Sequence, residues 1–400
     1  MVVGEIGLVL TVLSLAVWVG LLCFWGQFWR PDQRLDNQVS ELAVYPSVCA
    51  IIPARNEASL LPITLRSLLL QDYPGSLTTI LVDDHSTDGT ATVAQSVADA
   101  LNKSSKLHIL WAQALPPGWT GKLWALEQGI RQAQTLTPLP DYFLLTDADI
   151  EHDPENLRRL VAKAQREDLD LVSLMVRLRC ESFWEQLLIP AFVFFFQKLY
   201  PFRLVNDPTK ATAAAAGGCI LISREALTRI GGIQVVRQAL IDDCALAHAV
   251  KSSGQPQGKG RIWLGLTNLT RSLRPYPSLA TIWDMVARTA FTQLNYSPWL
   301  LLGTVIGMTI IYIVPPVSAI LGGLTGNWLV AIAGLSSWLL MTCAYFPTIR
   351  FYSCSPLLAF CLPIIALLYN LMTIDSALRH FSKRGGTWKG RVYSETLSKS

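Results

Sequence analysis

The sequence predicts an α/β domain with a parallel sheet, set between apolar segments at both ends of the chain. Of the 400 residues, 51% are hydrophobic and only 16% are charged, against roughly 25% charged in an average soluble domain. The apolar excess lies at the two ends, whereas the middle of the chain has the composition of a soluble domain. We therefore expect a membrane-bound protein whose middle part, residues 46–275, folds as one domain.

The middle of the chain alternates short β-branched runs with helical patterns. Helical spacing of apolar residues occurs over 60–70 and 91–101. Alternation of this kind predicts βαβ units and a parallel sheet covered by helices on both faces. Ligands of such sheets bind at the carboxyl ends of the strands. The predicted strands are residues 48–52, 79–82, 108–110 and 143–145.

An apolar run near the N-terminus is long enough to cross a membrane. Residues 6–25 are almost continuously apolar, which matches the roughly 20 residues that a spanning helix needs. A cleaved signal peptide would carry Lys or Arg before this run, whereas Glu5 precedes it. We predict an uncleaved transmembrane helix over 5–27. Because Arg30 and Arg34 follow it, the positive-inside rule places the middle of the chain in the cytoplasm.

Three further apolar runs follow residue 298, so we expect about three membrane segments within 298–374. Turns are predicted at Gly322-Gly323 and over 347–355, and two of the runs are shorter than a comfortable span. Three full crossings would leave the basic tail, 375–400, outside the cell, against the positive-inside rule, so a re-entrant segment stays open. The runs are residues 299–314, 328–346 and 357–371, and the basic residues of the tail are Lys383, Arg384, Lys389 and Arg391.

Two other segments are suited to contact a membrane. Apolar residues recur on one stripe of an amphipathic helix predicted over 278–296, which fits the membrane interface; a packing helix is the alternative. Residues 183–202 are apolar on all sides, so this segment should be buried or touch lipid. We favour an element that dips into the membrane and admits a lipid over a simple core helix.

Charge and cysteine usage argue against several classes of protein. The formal net charge is only +4 and no block of like charges is present, so nothing supports a nucleic-acid partner. The 8 Cys contain no C-x-x-C pair and the 5 His no H-E-x-x-H motif. Neither a zinc site nor a disulfide scaffold is indicated.

Acidic residues directly follow three of the predicted strands. Residues 53–57 end in Glu57 after the first strand, Asp83 and Asp84 follow the second, and Asp147-Ala-Asp149 follows the fourth. We expect these carboxylates to meet at one edge of the sheet. Asp88 is excepted, because Asp at such a position is suited to cap the next helix. An Asp-x-Asp at a strand end projects both carboxylates to one side of the pleat, and Mg²⁺ and Mn²⁺ prefer such oxygen ligands.

Six short motifs lie along the middle of the chain: Pro53-Ala-Arg-Asn-Glu57, Val82-Asp-Asp-His-Ser-Thr-Asp-Gly-Thr90, Gly121-Lys122, Asp147-Ala-Asp149, Gly217-Gly218 and Asp242-Asp243. Together they resemble the inverting family 2 glycosyltransferases, whose domain has the Rossmann-like, mostly parallel GT-A fold. Longer stretches are similar to the hopanoid-biosynthesis-associated glycosyltransferases, and the similarity covers nearly the whole chain. These stretches are Leu115-Pro-Pro-Gly-Trp-Thr-Gly-Lys-Leu-Trp124, residues 187–201, Ala213-Ala-Ala-Ala-Gly-Gly218 and Trp388-Lys-Gly-Arg391.

The resemblance implies a nucleotide-sugar donor, expected to be UDP-linked. Pro53, Arg55 and Glu57 would then lie beside the nucleotide. Asp84 would accept a hydrogen bond from the uracil or the ribose. Asp83 either shares that role or only closes a turn.

The resemblance also implies a divalent cation, Mg²⁺ or Mn²⁺, at the donor diphosphate. Asp149, and with it Asp147, would hold the cation, which neutralises the leaving nucleoside diphosphate as a Lewis acid. Lys122 would contact a phosphate, although a surface lysine that opens a helix is the alternative. Gly217 and Gly218 would let the backbone approach the sugar closely, since neither has a Cβ.

Inversion requires a base that takes the proton of the attacking hydroxyl, and the resemblance assigns it to the pair Asp242-Asp243. Asp243 would be the base and Asp242 its neighbour, since repulsion between adjacent carboxylates raises the pKa of one of them. The same pair also suits a helix N-terminus. Arg288 matches the Arg of the family's Q/R-x-x-R-W motif and is expected at the nucleotide sugar. Thr289 stands in place of the Trp, which disfavours a processive polysaccharide synthase.

The sequence thus predicts a membrane-bound inverting glycosyltransferase that moves a sugar to a lipid or terpenoid hydroxyl, with a hopanoid as the leading acceptor. A ceramide- or carotenoid-type glycolipid synthase is the alternative within this class. A membrane scaffold or transporter with an inactive transferase-like domain is the alternative outside it. The membrane segments disfavour a transporter, because they lack the charges that mark ion or substrate paths.

Overall fold

The computed structural model describes residues 2–35, 41–254, 260–382, 387–388 and 391–392. In these residues the strands are β1 Val48–Ala54, β2 Leu77–Asp83, β3 Leu107–Trp111, β4 Tyr142–Thr146, β5 Ile150–His152, β6 Leu171–Arg177, β7 Cys219–Ser223, β8 Ile262–Ser272, β9 Thr387–Trp388 and β10 Arg391–Val392. The α-helices are α1 Val2–Phe24, α2 Leu61–Leu69, α3 Thr90–Ala100, α4 Gly121–Ala133, α5 Asn156–Arg166, α6 Phe183–Leu199, α7 Phe202–Asn206, α8 Arg224–Arg229, α9 Asp242–Ser252, α10 Leu279–Ala287, α11 Ala290–Gln293, α12 Pro298–Met308, α13 Val314–Thr325, α14 Trp328–Phe351 and α15 Leu362–Phe381.

An eight-stranded sheet has the order β3-β2-β1-β4-β7-β6-β8-β5. β3, β2, β1 and β4 pair in parallel, whereas β7 is antiparallel to both of its neighbours and β5 is antiparallel to β8. The predicted α/β class with a mostly parallel sheet and the four predicted strands are confirmed. The antiparallel direction of β5 and β7 was not predictable, because hydrophobic periodicity shows which strands are buried and not in which direction they run.

The first strands form the centre of the domain core. Every residue of β1 is buried, as expected for a strand covered on both faces. α4 packs closely on this strand at Gly129, where a Cβ would lie 2.5 Å from a methyl of Ile51. The absence of a side chain at Gly129 therefore sets the distance between α4 and the sheet, and with it the position of the start of α4.

The chain divides into two compact units. One comprises Met1–Pro31, Cys180–Arg203 and Tyr276–Gly386, and the other Asp32–Arg179, Leu204–Pro275 and Thr387–Ser400. The second unit contains the sheet, and its range differs from the predicted domain 46–275 chiefly because α6 belongs to the first. Within the first unit, the α6 residue Phe194 is buried between Phe28 and Tyr345, at ring-centroid distances of 5.4 and 5.1 Å.

In the part of the chain that the structure describes, four helical segments are long and apolar enough to cross a membrane: Glu5–Phe24, Pro298–Thr325, Trp328–Phe351 and Pro356–Phe381, with 20, 28, 24 and 26 residues. The predicted turn at Gly322-Gly323 is wrong, because α13 continues to Thr325 and the chain turns at Gly326, whose φ is +73°. The predicted turn over 347–355 begins too early, because α14 accommodates Pro347. Apolar helices tolerate an internal proline where neighbouring groups satisfy the freed carbonyl. All three C-terminal segments thus reach spanning length. Of the tail, Lys383, Arg384 and Lys389 lie outside the described residues.

The helix predicted over 278–296 is divided into α10 and α11, which are separated at Arg288 and Thr289. Its apolar stripe is buried: Ile282 and Val286 belong to the core of the first unit. The stripe therefore packs within the protein, as in the packing-helix alternative.

Candidate active site

A pocket opens at the carboxyl edge of the sheet, in the second unit. Its empty space is about 340 Å³ with its open mouth included. Acidic, basic and glycine residues from distant parts of the sequence meet on one side, and apolar side chains form the rest. The lining residues are Pro53, Lys122, Leu123, Leu126, Leu145, Thr146, Asp147, Gly217, Ile220, Ile233, Val236, Asp242, Asp243 and Leu246.

Lys122 is the cation of this pocket. It lies in the first turn of α4, which Thr120 caps by accepting a hydrogen bond from Leu123 N. The Nζ atom is 2.8 Å from Oδ1 of Asp147 and 3.6 Å from Oδ2 of Asp242. Desolvation opposes the charged form, but the two carboxylates outweigh it and raise the pKa of Lys122. Lys122 is therefore positively charged at neutral pH, and the surface-lysine alternative does not describe its surroundings.

Asp243 occupies the N-terminal end of α9, beside Asp242. Its Oδ2 accepts a hydrogen bond of 2.8 Å from Gly217 N, and its Oδ1 accepts one of 2.8 Å from Cys244 N. Desolvation and the charge of Asp242 raise the pKa of Asp243 to about 6, although Lys122 and the two backbone N–H groups act in the opposite direction. A carboxylate with this pKa is mostly ionised at pH 7 and is a stronger base than an ordinary aspartate.

The two adjacent glycines have different surroundings. A Cβ at Gly217 would lie 3.2 Å from Lys122 Nζ and 3.4 Å from Asp243 Oδ2, so this glycine faces the charged side of the pocket. A Cβ at Gly218 would lie 3.0 Å from both γ-methyls of Val176, in the core. Close backbone approach to a ligand is therefore possible at Gly217, whereas Gly218 is required by internal packing.

The loops after β1 and β2 form a second polar region at the same sheet edge. Arg55 donates a hydrogen bond of 2.5 Å to the backbone oxygen of Asp84, and its Nη1 is 3.7 Å from the Asp84 carboxylate. Asp83 is 1% exposed, and its Oδ1 accepts from Ser86 N at 2.8 Å. Its other oxygen, Oδ2, is buried without a hydrogen-bond partner in the described part of the chain. A turn-forming role accounts for one oxygen of Asp83 and leaves the other as an acceptor.

Asp88 ties these loops together. Its carboxylate accepts hydrogen bonds from Ala58 N at 3.0 Å and from Thr90 N at 3.1 Å. These bonds join the loop after β1 to the start of α3. The N-cap residue of α3 is Gly89, so Asp88 lies one residue before the expected cap position and still binds the first backbone N–H of the helix.

Asp149 and Glu57 share an arginine that sequence reasoning missed. Arg274 Nε is 2.8 Å from Asp149 Oδ2, and its Nη2 is 2.6 Å from Glu57 Oε1. Ser272 Oγ also donates to Asp149 Oδ2, at 3.3 Å. Arg274 follows the end of β8 by two residues, and this position just beyond a strand end was the sequence signal for it.

The predicted projection of Asp147 and Asp149 to one side of a pleat is wrong. β4 ends at Thr146, and a turn follows in which Ile150 N donates to Asp147 O at 3.3 Å. As a result, Asp147 pairs with Lys122 and Asp149 pairs with Arg274. Of the remaining predicted site residues, Arg288 is exposed and belongs to the first unit, so its function stays a prediction.

The carboxylates at this edge of the sheet are the candidate ligands for a divalent cation. In the described residues no group of three or more His, Cys, Asp or Glu is placed to hold a metal ion. Mg²⁺ is nevertheless commonly bound by one or two carboxylates together with substrate phosphates. Asp147 and Asp149, on the turn after β4, would each offer a carboxylate to a site of that type, although one is paired with Lys122 and the other with Arg274.

The α/β sheet, the acidic loops and the charged pocket at its carboxyl edge are features that the GT-A fold has. Residues 49–231 match the model of the family described as glycosyl transferase family 2. This match supports a glycosyl transferase family 2 domain in this part of the chain.

The chain is similar to three individual proteins, of which the Pyrobaculum structure supports the fold. The undecaprenyl-phosphate mannosyltransferase of Micrococcus luteus is 33% identical over 130 residues, which are 32% of this chain and 49% of that protein. The chain thus spans about half the length of this curated relative. The mannosyltransferase PcManGT of Pyrobaculum calidifontis, solved in complex with GDP-Man and Mn²⁺, has a TM-score of 0.55 at 18% identity, covering 94% of this chain and 99% of that one. Glucosyl-3-phosphoglycerate synthase of Mycobacterium tuberculosis has a TM-score of 0.39 at 18% identity, covering 66% and 87%.

Proposed function

We propose that this protein is an inverting glycosyltransferase that moves a sugar from a nucleotide-sugar donor to the hydroxyl group of a membrane lipid. The observation that carries the proposal is Asp243, a carboxylate with a raised pKa that lies in the same pocket as Lys122. A base and a fixed cation in one pocket are what the transfer needs, because an acceptor loses a proton while a diphosphate gains charge.

The nucleotide is proposed to bind at the loops after β1 and β2. The buried, unpaired Oδ2 of Asp83 is an acceptor that an N–H of a base or a hydroxyl of ribose would satisfy. Pro53, which lines the pocket, and the Arg55–Asp84 pair lie at the same sheet edge. UDP is the expected nucleotide by resemblance, and GDP, as bound to the Pyrobaculum protein, is the comparison for the assay.

The diphosphate is proposed to lie between this region and Lys122. When bound, Mg²⁺ or Mn²⁺ would be held by Asp147 and Asp149 and would supply Lewis-acid neutralisation of the leaving diphosphate. Lys122 contributes a permanent charge that two carboxylates keep in place. The guanidinium of Arg274 is likewise a permanent charge, paired with Asp149 and Glu57. Both cations limit repulsion among the acids before a substrate arrives.

In the transfer step, the oxygen of the acceptor forms a bond to the anomeric carbon while the bond from that carbon to the diphosphate breaks. The proton of the acceptor hydroxyl passes to Asp243. Attack opposite the leaving group inverts the configuration of the sugar. The Gly217 N–H and Cys244 N–H bonds fix both oxygens of Asp243, so the base is oriented before the acceptor binds.

A hydroxyl acceptor is proposed because a base is present. An alcohol must lose a proton to act as a nucleophile, whereas a phosphate monoester is already ionised near neutral pH. A terpenoid alcohol of the hopanoid class is the leading acceptor by resemblance, followed by a ceramide- or carotenoid-type lipid. A lipid phosphate, such as the one in the name of the Micrococcus relative, would not need Asp243 as a base.

The protein is proposed to be integral to a bacterial inner membrane. Four segments of 20 to 28 residues are apolar enough to cross it. An even number of crossings would place both termini on one side, and the positive charges after α1 favour the cytoplasm for the family 2 domain. A re-entrant segment is then not required, since each C-terminal segment is long enough to span.

The test uses the full chain in detergent or nanodiscs with each donor, UDP-sugar or GDP-mannose, with and without Mn²⁺. Acceptors are a hopanoid alcohol, a ceramide and undecaprenyl phosphate, and products are identified by mass spectrometry. We expect transfer to an alcohol by the wild type and its loss in Asp243→Asn. Asp168→Asn is the matched control, because Asp168 is 94% exposed. Transfer to the lipid phosphate that survives Asp243→Asn would refute the hydroxyl acceptor, and absence of transfer with every pair would favour a scaffold or transporter.

A further inference from the structure

A row of buried polar side chains runs from Thr146, in the wall of the pocket, into the domain interior and has no part in the proposed reaction. Asn156 Nδ2 is 3.1 Å from His152 Nδ1, and His152 Nε2 is 3.0 Å from Thr146 Oγ1. Thr146 Oγ1 in turn is 2.8 Å from the backbone oxygen of Gly218. Asn156 and His152 are 0% and 3% exposed. The row therefore joins the interior of the domain to the turn that carries Gly217.

With the Asn156 amide oriented so that its Nδ2 faces His152, one arrangement of protons makes all three hydrogen bonds. The Gly218 oxygen can only accept, so the single hydroxyl proton of Thr146 must point to it. His152 Nε2 must then donate to Thr146 Oγ1, which leaves His152 Nδ1 as an acceptor for Asn156 Nδ2. The imidazole is consequently neutral, with its proton on Nε2. Burial favours the same state, because it lowers the pKa of His152 to about 4.

The Gly217–Gly218 turn is held from both sides. Thr146 binds the oxygen of Gly218, while Ser173 Oγ accepts from Ala216 N at 2.8 Å and lies 3.2 Å from Ala216 O. Between these two points, Gly217 N donates to Asp243 Oδ2. Because glycine is conformationally permissive, the direction of this N–H depends on the groups that fix the turn. Thr146 is also the residue directly before Asp147.

We propose that His152 is a positioning residue, which acts through Thr146 and the Gly218 carbonyl to aim the Gly217 N–H at Asp243. The proposal rests on the proposed function in so far as Asp243 is the base of the transfer. His152 itself does not titrate in the working range and touches no reacting atom. The groups that face it are uncharged: Thr146, Asn156, and Ser67, whose Oγ accepts from His152 N at 3.0 Å.

The first experiment measures the pH dependence of kcat/KM in His152→Leu and His152→Gln. A hydrogen bond from Gly217 N favours the ionised form of Asp243, so its loss should raise the pKa of Asp243. This pKa sets the acid limb, the low-pH side of the kcat/KM profile on which activity rises with pH. We expect His152→Leu to move this limb up by about one pH unit. His152→Gln keeps an N–H donor at the ε position and should restore most of the wild-type limb. The charged groups that also act on Asp243 are Lys122, Asp242 and, through Lys122, Asp147; none of them is changed.

Thr146→Val and Thr146→Ser repeat the test without altering the imidazole. Valine has nearly the shape of threonine and lacks the hydroxyl, so it should shift the acid limb as His152→Leu does, whereas serine should not. A fall in kcat with an unmoved acid limb in both His152→Leu and Thr146→Val would overturn the proposal, because a merely structural defect has that signature.

A second readout does not depend on transfer. Backbone hydrogen exchange of a peptide covering 216–219 should be at least tenfold faster in Thr146→Val than in Thr146→Ser, measured by mass spectrometry on the full chain. If the wild type transfers no sugar but this difference is found, the proposed function fails while the positioning of the turn stands. Equal exchange in the two variants would refute the positioning of Gly217 whatever the activity.

Discussion

Replacement of Lys122 by methionine gives the sharpest test of how charge is balanced in the pocket. Lys122 Nζ and Asp243 Oδ2 each lie within 3.4 Å of the point where a Gly217 Cβ would be, so they are less than about 7 Å apart. At that separation the attraction is roughly 0.6 kcal/mol in water and roughly 2.4 kcal/mol at an effective dielectric constant of about 20. Its loss should raise the apparent pKa of Asp243 by roughly 0.4 to 1.7 pH units.

The assay is the pH profile of kcat/KM for sugar transfer. Because the base must be ionised, activity of the wild type should rise through a pKa of about 6, and in Lys122→Met it should rise at a higher pH. Lys122→Arg keeps the charge and serves as control. Asp242→Asn should move the acid limb in the opposite direction, since the charge of Asp242 raises the pKa of Asp243. An acid limb that stays in place in both variants, or moves the same way in both, would refute Asp243 as the titrating base.

Three further predictions follow from contacts in the same domain. Gly218→Ala should lower the Tm and the free energy of unfolding, the latter by roughly 1–3 kcal/mol, because its Cβ would meet Val176 at 3.0 Å. Gly217→Ala should leave the Tm nearly unchanged and reduce kcat, and equal Tm losses in the two variants would contradict this. Arg274→Gln should lower the Tm without Mn²⁺ and enlarge the gain in Tm on adding Mn²⁺, because Asp149 and Glu57 lose the cation that they share. Thermal-shift measurements check this, and a gain equal to that of the wild type would argue against a cation site at Asp149. Asp243→Asn should raise the Tm at pH 7.5 and not below pH 4. The reason is that a carboxyl whose folded pKa is raised to about 6 stabilises the fold at low pH and loses that contribution as the pH rises through 6. A Tm gain that is the same at both pH values would contradict this.

Much of the fold was predictable because its signals are local. Runs of β-branched residues marked β1 to β4, and the helical spacing over 60–70 and 91–101 marked α2 and α3. The position of the acidic residues directly after predicted strands indicated that they meet at one edge of the sheet, and the resemblance added the pair Asp242-Asp243. The structure places Asp147, Asp242 and Asp243 around Lys122. Their roles in transfer stay predictions until the variants are assayed.

Other features depended on partners far away in the sequence. Arg274 was missed because nothing near it indicates that Glu57 and Asp149 will meet its guanidinium. The turn predicted at Gly322-Gly323 was wrong because glycine marks a permitted turn and not a necessary one, and α13 packs closely enough at Gly322 that a Cβ there would lie 2.5 Å from Ala331 N.

The amino-acid sequence alone determined the class of fold, the apolar ends and the identity of the acids, since periodicity and composition act over short distances along the chain. Only the tertiary structure decided which acid faces which cation, which of two glycines borders the pocket and that His152 supports the turn behind it. The physical reason is that hydrogen bonds and charge pairs depend on distances of about 3 Å between atoms, and only the packed fold fixes distances between residues that lie a hundred positions apart.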